Sequence, residues 1–221
     1  MVYSVSGGIN TGKDEVVNML SYILSSETPN FEDYSKGNTK INGNISNLKF
    51  AKKVKEMVAC LLDMTYEDMN DDLVKNEEVI LGGKSFTVRE LQISLANEWG
   101  RDIISPKIWV ETSGIKKYKE GETIFLNSDL RFIDEIEVIK DYPSYNILLK
   151  RPFLERFPEE KKHGETIYDY PQDLEFTNPK LFQYVTNISE RPLSDDLFDF
   201  VLYNDSDLKG LFNKLKNKIK L

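Results

Sequence analysis

The residues best suited to chemistry lie near the start of the sequence. Gly7-Gly8-Ile9-Asn10-Thr11-Gly12-Lys13-Asp14 matches the pattern G-x-x-x-x-G-K. In such a loop, glycines let successive backbone N–H groups curl around a phosphate. The helix that follows adds the positive end of its dipole, and the lysine reaches the β and γ oxygens. The residue after the lysine is commonly Ser or Thr, whose hydroxyl binds Mg2+. Here it is Asp14, whose carboxylate can serve the metal directly or through water, or can repel phosphate. The alternative is a glycine turn of purely structural use. The chemical reading makes Gly7, Gly8, Asn10, Thr11, Gly12 and Lys13 a phosphate cradle.

Further along, Asp129 ends the apolar stretch ETIFLNSD, and Arg131 follows closely enough to share an anion. At the end of a buried parallel strand an acidic group can hold Mg2+ or orient an attacking oxygen, and it can also cap the next helix. Arg151 follows YNILLK and precedes a polar segment holding Arg156, Lys161, Lys162 and His163. That segment reads as a cationic lid able to exclude water during transfer, or as a charged loop.

These groups need a scaffold, and the pattern describes one. VYSVS runs into Gly7-Gly8, after which Val16, Val17, Leu20, Ile23 and Leu24 recur at helical spacing, giving strand, glycine loop and helix. Residues 26–47 read as a mobile surface loop. A second helix carries Leu48, Ala51, Val54, Val58 and Leu61 on one face. Residues 63–78 hold seven acids and one Lys and read as a solvated connector. VILGGKSFTV is a hairpin turning at Gly82-Gly83, and Thr87-Val88-Arg89-Glu90 is a capping box that opens a helix to about Gly100. Ser105-Pro106 opens another helix. ETIFLNSD, YNILLK and FDFVLYND read as buried strands, with the helix FIDEIEVIKDY after the first of them. The closing helix places Leu208, Leu211, Phe212, Leu215 and Ile219 on one face. Strands alternating with helices predict an α/β fold with a parallel sheet.

Composition narrows the function. The 221 residues fit one domain with an insert. Lys plus Arg number 29 against 37 Asp plus Glu, and the net charge of -8 argues against a surface built to grip polymeric nucleic acid. No apolar run is long enough to cross a bilayer, and MVYSVSGG lacks the basic flank of a signal peptide. Only six cations are Arg: Arg89, Arg101, Arg131, Arg151, Arg156 and Arg191. Guanidinium forks bind phosphate oxygens in pairs, so these positions are anion candidates, unless a bias toward Lys leaves them to chance. Cys60, alone in MVACLL, reads as a buried inert thiol. One Cys and the single His163 supply no zinc centre of the usual ligands.

Taken in order, SGGINTGKDEV, FAKKVKEMVA, TVRELQISLANEWGRDIISPKIWV, SDLRFIDEIEVIK, KRP, the His163 neighbourhood and FDFVLYNDSDLKGLFNKLKNKI resemble the phage-type deoxynucleoside monophosphate kinases, a P-loop kinase family. The likeness spans most of the chain apart from 26–47 and about 170–192. It implies a three-layer P-loop kinase fold on a single domain, with a helical acceptor-binding insert at about 50–115 and a lid at about 151–195. The implied reaction is transfer of the γ-phosphate of ATP to a deoxynucleoside 5′-monophosphate. Lys13 and the loop would hold ATP phosphates, Asp14 and Asp129 would serve Mg2+, and Arg131 and Arg151 would neutralise charge in transfer. Lys55, Arg89, Asn97, Arg101 and Trp109 would meet the acceptor, although Trp109 serves equally well as a core residue. Asn204, with Asp205, would lie beside adenine. The resemblance also implies a cytoplasmic setting, and a homodimer is expected on general frequency alone.

Two features depart from the family. Gln92 sits one position early, and Ala96-Asn97 replace a glycine-threonine pair, a change beside the acceptor base that would alter base preference. The region after His163 is also longer. The competing readings are another small-molecule P-loop kinase, of the dephospho-coenzyme A kinase type, and a nucleotide-binding regulator without turnover.

Overall fold

Strand β1 (Val2–Ser6) is the middle strand of a five-stranded sheet, and all five of its residues are buried. The structure, a computed structural model, describes residues 1–37, 44–158, 174–179, 181–182 and 193–219. The chain forms two units, one of residues 1–47 and 118–221 and the other of residues 48–117.

In the first unit β1 leads through the glycine loop into α1 (Lys13–Ser25), then α2 (Phe31–Ser35) and β2 (Ile45–Asn47). The second unit holds α3 (Lys52–Leu61), α4 (Asp72–Lys75), the hairpin β3 (Glu78–Leu81) and β4 (Lys84–Thr87), α5 (Val88–Ser94) and α6 (Ile108–Thr112). The chain then returns to the first unit as β5 (Ile124–Leu130), α7 (Ile133–Ile139), β6 (Ser144–Lys150), α8 (Phe153–Arg156), α9 (Leu174–Thr177), β7 (Phe200–Tyr203) and α10 (Leu208–Lys218).

The sheet is parallel throughout, in the order β2-β5-β1-β6-β7. The fold class is therefore α/β, a parallel central sheet flanked by helices. From β1 the chain runs toward the β2 edge, and from β6 toward the β7 edge, so the direction of connection reverses between these two neighbours. The carboxyl ends of strands at such a reversal form a crevice suited to ligands. Val16, Val17, Leu20 and Ile23 of α1 and Leu211, Phe212 and Leu215 of α10 pack with Tyr3, Val5, Leu126, Ile147 and Leu149 of the sheet. Truncating Leu20, Ile23, Leu211 or Leu215 to Ala would cost about 2–5 kcal/mol.

Several elements differ from the sequence expectation. Residues 26–47 are not simply loop: they include α2 and the edge strand β2. The three residues Ile-Ser-Asn have no apolar run, because an edge strand with a neighbour on one side needs none. For the same reason β7 has only Leu202 buried. In α10, Leu208 is exposed, and Ile219 is buried just past the helix end.

In the second unit, Val58, Ala59, Met69 and Val88 form the core, supported by Leu62, Met64, Val79, Leu91 and Leu95. Residues 63–78 are thus more than a connector, since a 3-10 turn at Asp68–Asn70 inserts Met69 into this core. The inward face of α3 is Val54, Val58 and Ala59, which leaves Leu61 60% exposed and Cys60 exposed rather than buried. Gly82 and Gly83 take positive φ of 58° and 78° in the two-residue turn, as a hairpin with Leu81 paired to Lys84 requires. The Thr87–Glu90 capping box forms. The helix it opens does not end near Gly100 but widens into a π-helix, Leu95–Ile104, and α6 begins at Ile108, later than Ser105-Pro106 suggested.

Candidate phosphate-binding site

The glycine loop occupies the carboxyl end of β1, and each of its carbonyls is engaged. Lys13 Nζ donates to Gly7 O and Gly8 O, both at 2.8 Å, and Thr11 Oγ1 also donates to Gly8 O. Arg156 Nε donates to Ile9 O at 2.8 Å, Arg151 Nη1 to Asn10 O at 3.3 Å, and Asn204 Nδ2 to Thr11 O at 2.9 Å. Gly12 O accepts from Val16 N in the first turn of α1.

A carbonyl and the next amide point in opposite directions across a trans peptide. Donors that hold the carbonyls of residues 7–12 therefore turn the following amides the other way. The amides of Gly8 to Gly12 donate to no described residue. They are a run of backbone donors at the head of α1 without a partner among the described residues, chemistry that suits a phosphate.

The glycines are needed for space and for conformation. A Cβ on Gly7 would lie 2.4 Å from Leu149 O, and Gly12 has φ of 94°. Ile9 is anchored from the side by Phe153, Phe157 and Leu174. Asn10, itself at φ 58°, donates through Nδ2 to Arg156 O. Asn204, expected beside adenine, thus braces the loop through Thr11. Lys161, Lys162, His163 and Arg191, with most of the lid expected at 151–195, lie outside the described residues.

Asp14, exposed at the start of α1, accepts a hydrogen bond at Oδ1 from Ser128 Oγ at 2.7 Å. Ser128 is 6% exposed and lies on β5. There the ladder carries a bulge: Ser4 pairs with Asn127 and Ser6 with Leu130, so Ser128 and Asp129 together face Val5. The amide of Asp129 is taken by Oδ1 of the buried Asn127 at 2.7 Å. Asp129 does not cap α7. That role falls to Glu135, 1% exposed, whose Oε2 accepts from the amides of Arg131 and Phe132. Asn127, Ser128 and Glu135 were not singled out in the sequence. The polar triplet Asn-Ser-Asp ending an apolar strand was the available signal for the first two.

The second unit holds the remaining candidates. Lys55 Nζ donates to Asn70 Oδ1 at 2.7 Å, Arg89 Nη2 lies 3.4 Å from Asp72 Oδ1, and Gln92 Nε2 donates to Met69 O. Lys55, Arg89 and Gln92 thus converge on residues 69–72. Asp72 is held below the usual carboxylate range, chiefly by the hydrogen bond from Lys75 and then by the charges of Lys75 and Arg89. Arg101 lies apart from this group, with Nη1 on Pro106 O, and half-buried Asn97 is on the π-helix. Trp109 is 3% exposed, donates from Nε1 to Ala96 O at 2.8 Å, and lies against Gly100 and Trp99. Of the two uses open to Trp109, the packing is that of a core residue.

Among the described residues no group of three or more His, Cys, Asp and Glu could hold a metal ion. The oxygens beside the loop, from Asp14, Ser128 and Asp129, are hard and few. They suit Mg2+, which binds one or two carboxylates and completes its shell with phosphate and water. No described helix is long and apolar enough to cross a membrane. No protein-family model matches the chain, and no curated protein matches it.

Proposed function

We propose that the chain is a deoxynucleoside monophosphate kinase on a P-loop kinase fold, transferring the γ-phosphate of ATP to a deoxynucleoside 5′-monophosphate. One observation carries the reading: the carbonyls of residues 7–12 are all engaged while the amides of Gly8 to Gly12 are left to a ligand, at the head of α1 and with Lys13, Arg151 and Arg156 on the same loop.

Phosphoryl transfer asks a protein mainly for positioning and charge stabilisation. The loop amides bind and orient the triphosphate. Lys13, now on the carbonyls of Gly7 and Gly8, exchanges them for phosphate oxygens. Arg151 and Arg131 offset the charge that spreads over the transferred group. Asp14 and Asp129 are the residues that would hold Mg2+, which supplies charge neutralisation between phosphates. Lys55, Arg89, Asn97 and Arg101 are assigned to the acceptor, and the 50–115 region to its binding.

The test is ADP formation from ATP and Mg2+ with each deoxynucleoside monophosphate in turn, including base-modified ones. Turnover with at least one of them is expected. ATP binding without turnover across the panel would favour a nucleotide-binding regulator.

A further inference from the structure

The hydrogen bond between Ser128 and Asp14 has a consequence for how the loop would meet a metal. In P-loop nucleotide hydrolases and related proteins the hydroxyl stands after the loop lysine and the acid stands at the end of a neighbouring strand. In this chain the residue after Lys13 is the acid Asp14, and the group it meets on neighbouring strand β5 is the hydroxyl of Ser128, one position before the strand-end acid Asp129. Within this hydrogen-bonded pair, joined at 2.7 Å, hydroxyl and acid have exchanged elements.

We infer that Asp14 and Ser128 act as this exchanged pair. Ser128 is a positioning residue that holds the Asp14 carboxylate toward the metal of a bound Mg-nucleotide. The inference rests on the functional reading above and deepens it.

Three features support the assignment. Ser128 is buried in the sheet, so its hydroxyl is fixed by the strand rather than by a mobile side chain. A hydroxyl donating to a carboxylate is a strong, charge-assisted bond, able to select one rotamer of an otherwise exposed Asp14. The adjoining bulge, with Asn127 Oδ1 taking the amide of Asp129, holds the strand end in a defined shape. The Asp129 carboxylate makes no hydrogen bond to a described residue, so of the two candidate carboxylates Asp14 is the one held in place.

The test is the gain in affinity that Mg2+ gives to ADP, measured by calorimetry with Mg2+ and with a chelator. Variants are Ser128→Ala, Ser128→Thr, Asp14→Ala and the exchange Asp14→Ser with Ser128→Asp, each checked for a native thermal transition. Ser128→Ala is expected to reduce the Mg2+-dependent gain about tenfold while leaving metal-free affinity unchanged. Ser128→Thr should restore it. Asp14→Ala should reduce the gain at least as far as Ser128→Ala, and the exchange should recover part of it. Equal loss with and without Mg2+ in Ser128→Ala would overturn the inference by showing a merely structural hydroxyl. So would an exchange variant no better than Asp14→Ala. Native protein that binds ADP without any gain from Mg2+ would overturn the pair's role alone. Failure of native protein to bind ADP at all would overturn the functional reading with it.

Discussion

Arg156 lies so close over Gly8 that a Cβ on Gly8 would come within 2.6 Å of its Nη2. The same guanidinium stacks on the Phe157 ring, 5.3 Å from its centroid, and donates to Ile9 O. Gly8 is therefore required less for its backbone than for the side chain above it. The atom displaced would be the far end of a flexible side chain, so a methyl group at Gly8 should push Arg156 off Ile9 rather than unfold the loop. Gly8→Ala and Arg156→Ala are expected to be non-additive in phosphate affinity, with a coupling of about 1 kcal/mol. A double-mutant cycle read by ADP titration checks this. Additive effects would mean that the two residues act separately.

Gly100 has a similar role in the second unit. Its Cβ would lie 2.2 Å from Cζ2 of Trp109, a ring buried in the unit. Gly100→Ala should therefore cost about 1–3 kcal/mol in unfolding free energy. Denaturant titration followed by tryptophan fluorescence measures it, and a loss of a few tenths would show that the ring can shift.

Much of the fold could be read in the sequence because the signals were local. Gly82-Gly83 needs no partner to declare a two-residue turn, and Thr87 with Glu90 declares its cap. The π-helix could not be read this way. Its setting is tertiary: the widened segment is the one in which Gly100 abuts the Trp109 ring and the Ala96 carbonyl receives the indole N–H. Edge strand β2 escaped notice because three polar-flanked residues carry no period. At the candidate site, Lys13 and Asp14 announce themselves by spacing. Ser128 lies 114 residues from Asp14 and meets it only because β5 is placed beside β1. Glu135, likewise, reads as one more acid of an amphipathic helix until its carboxylate is seen on two amides.

Acid should weaken the second unit through Asp72. Its carboxyl is depressed in the folded chain by the hydrogen bond from Lys75 and by the charges of Lys75 and Arg89. A depressed carboxyl contributes stability above its unfolded pKa and loses it as pH falls through the lower folded value. Asp72→Asn should accordingly lower stability near neutral pH and have less effect in strong acid. Because the side chain is 81% exposed, the difference should stay within about 1 kcal/mol and shrink in high salt. Unfolding titrations of both proteins across the acid range check the sign. A deficit that grows toward low pH would contradict it.

The central claim is most directly tested by following label from γ-labelled ATP into a deoxynucleoside diphosphate, with the native chain and with Lys13→Met. The account predicts labelled diphosphate from the native chain with at least one deoxynucleoside monophosphate. It predicts a loss of at least about a hundredfold in Lys13→Met, with the thermal transition retained. No labelled diphosphate from the native chain with any acceptor, or equal transfer by the folded Lys13→Met variant, would contradict it.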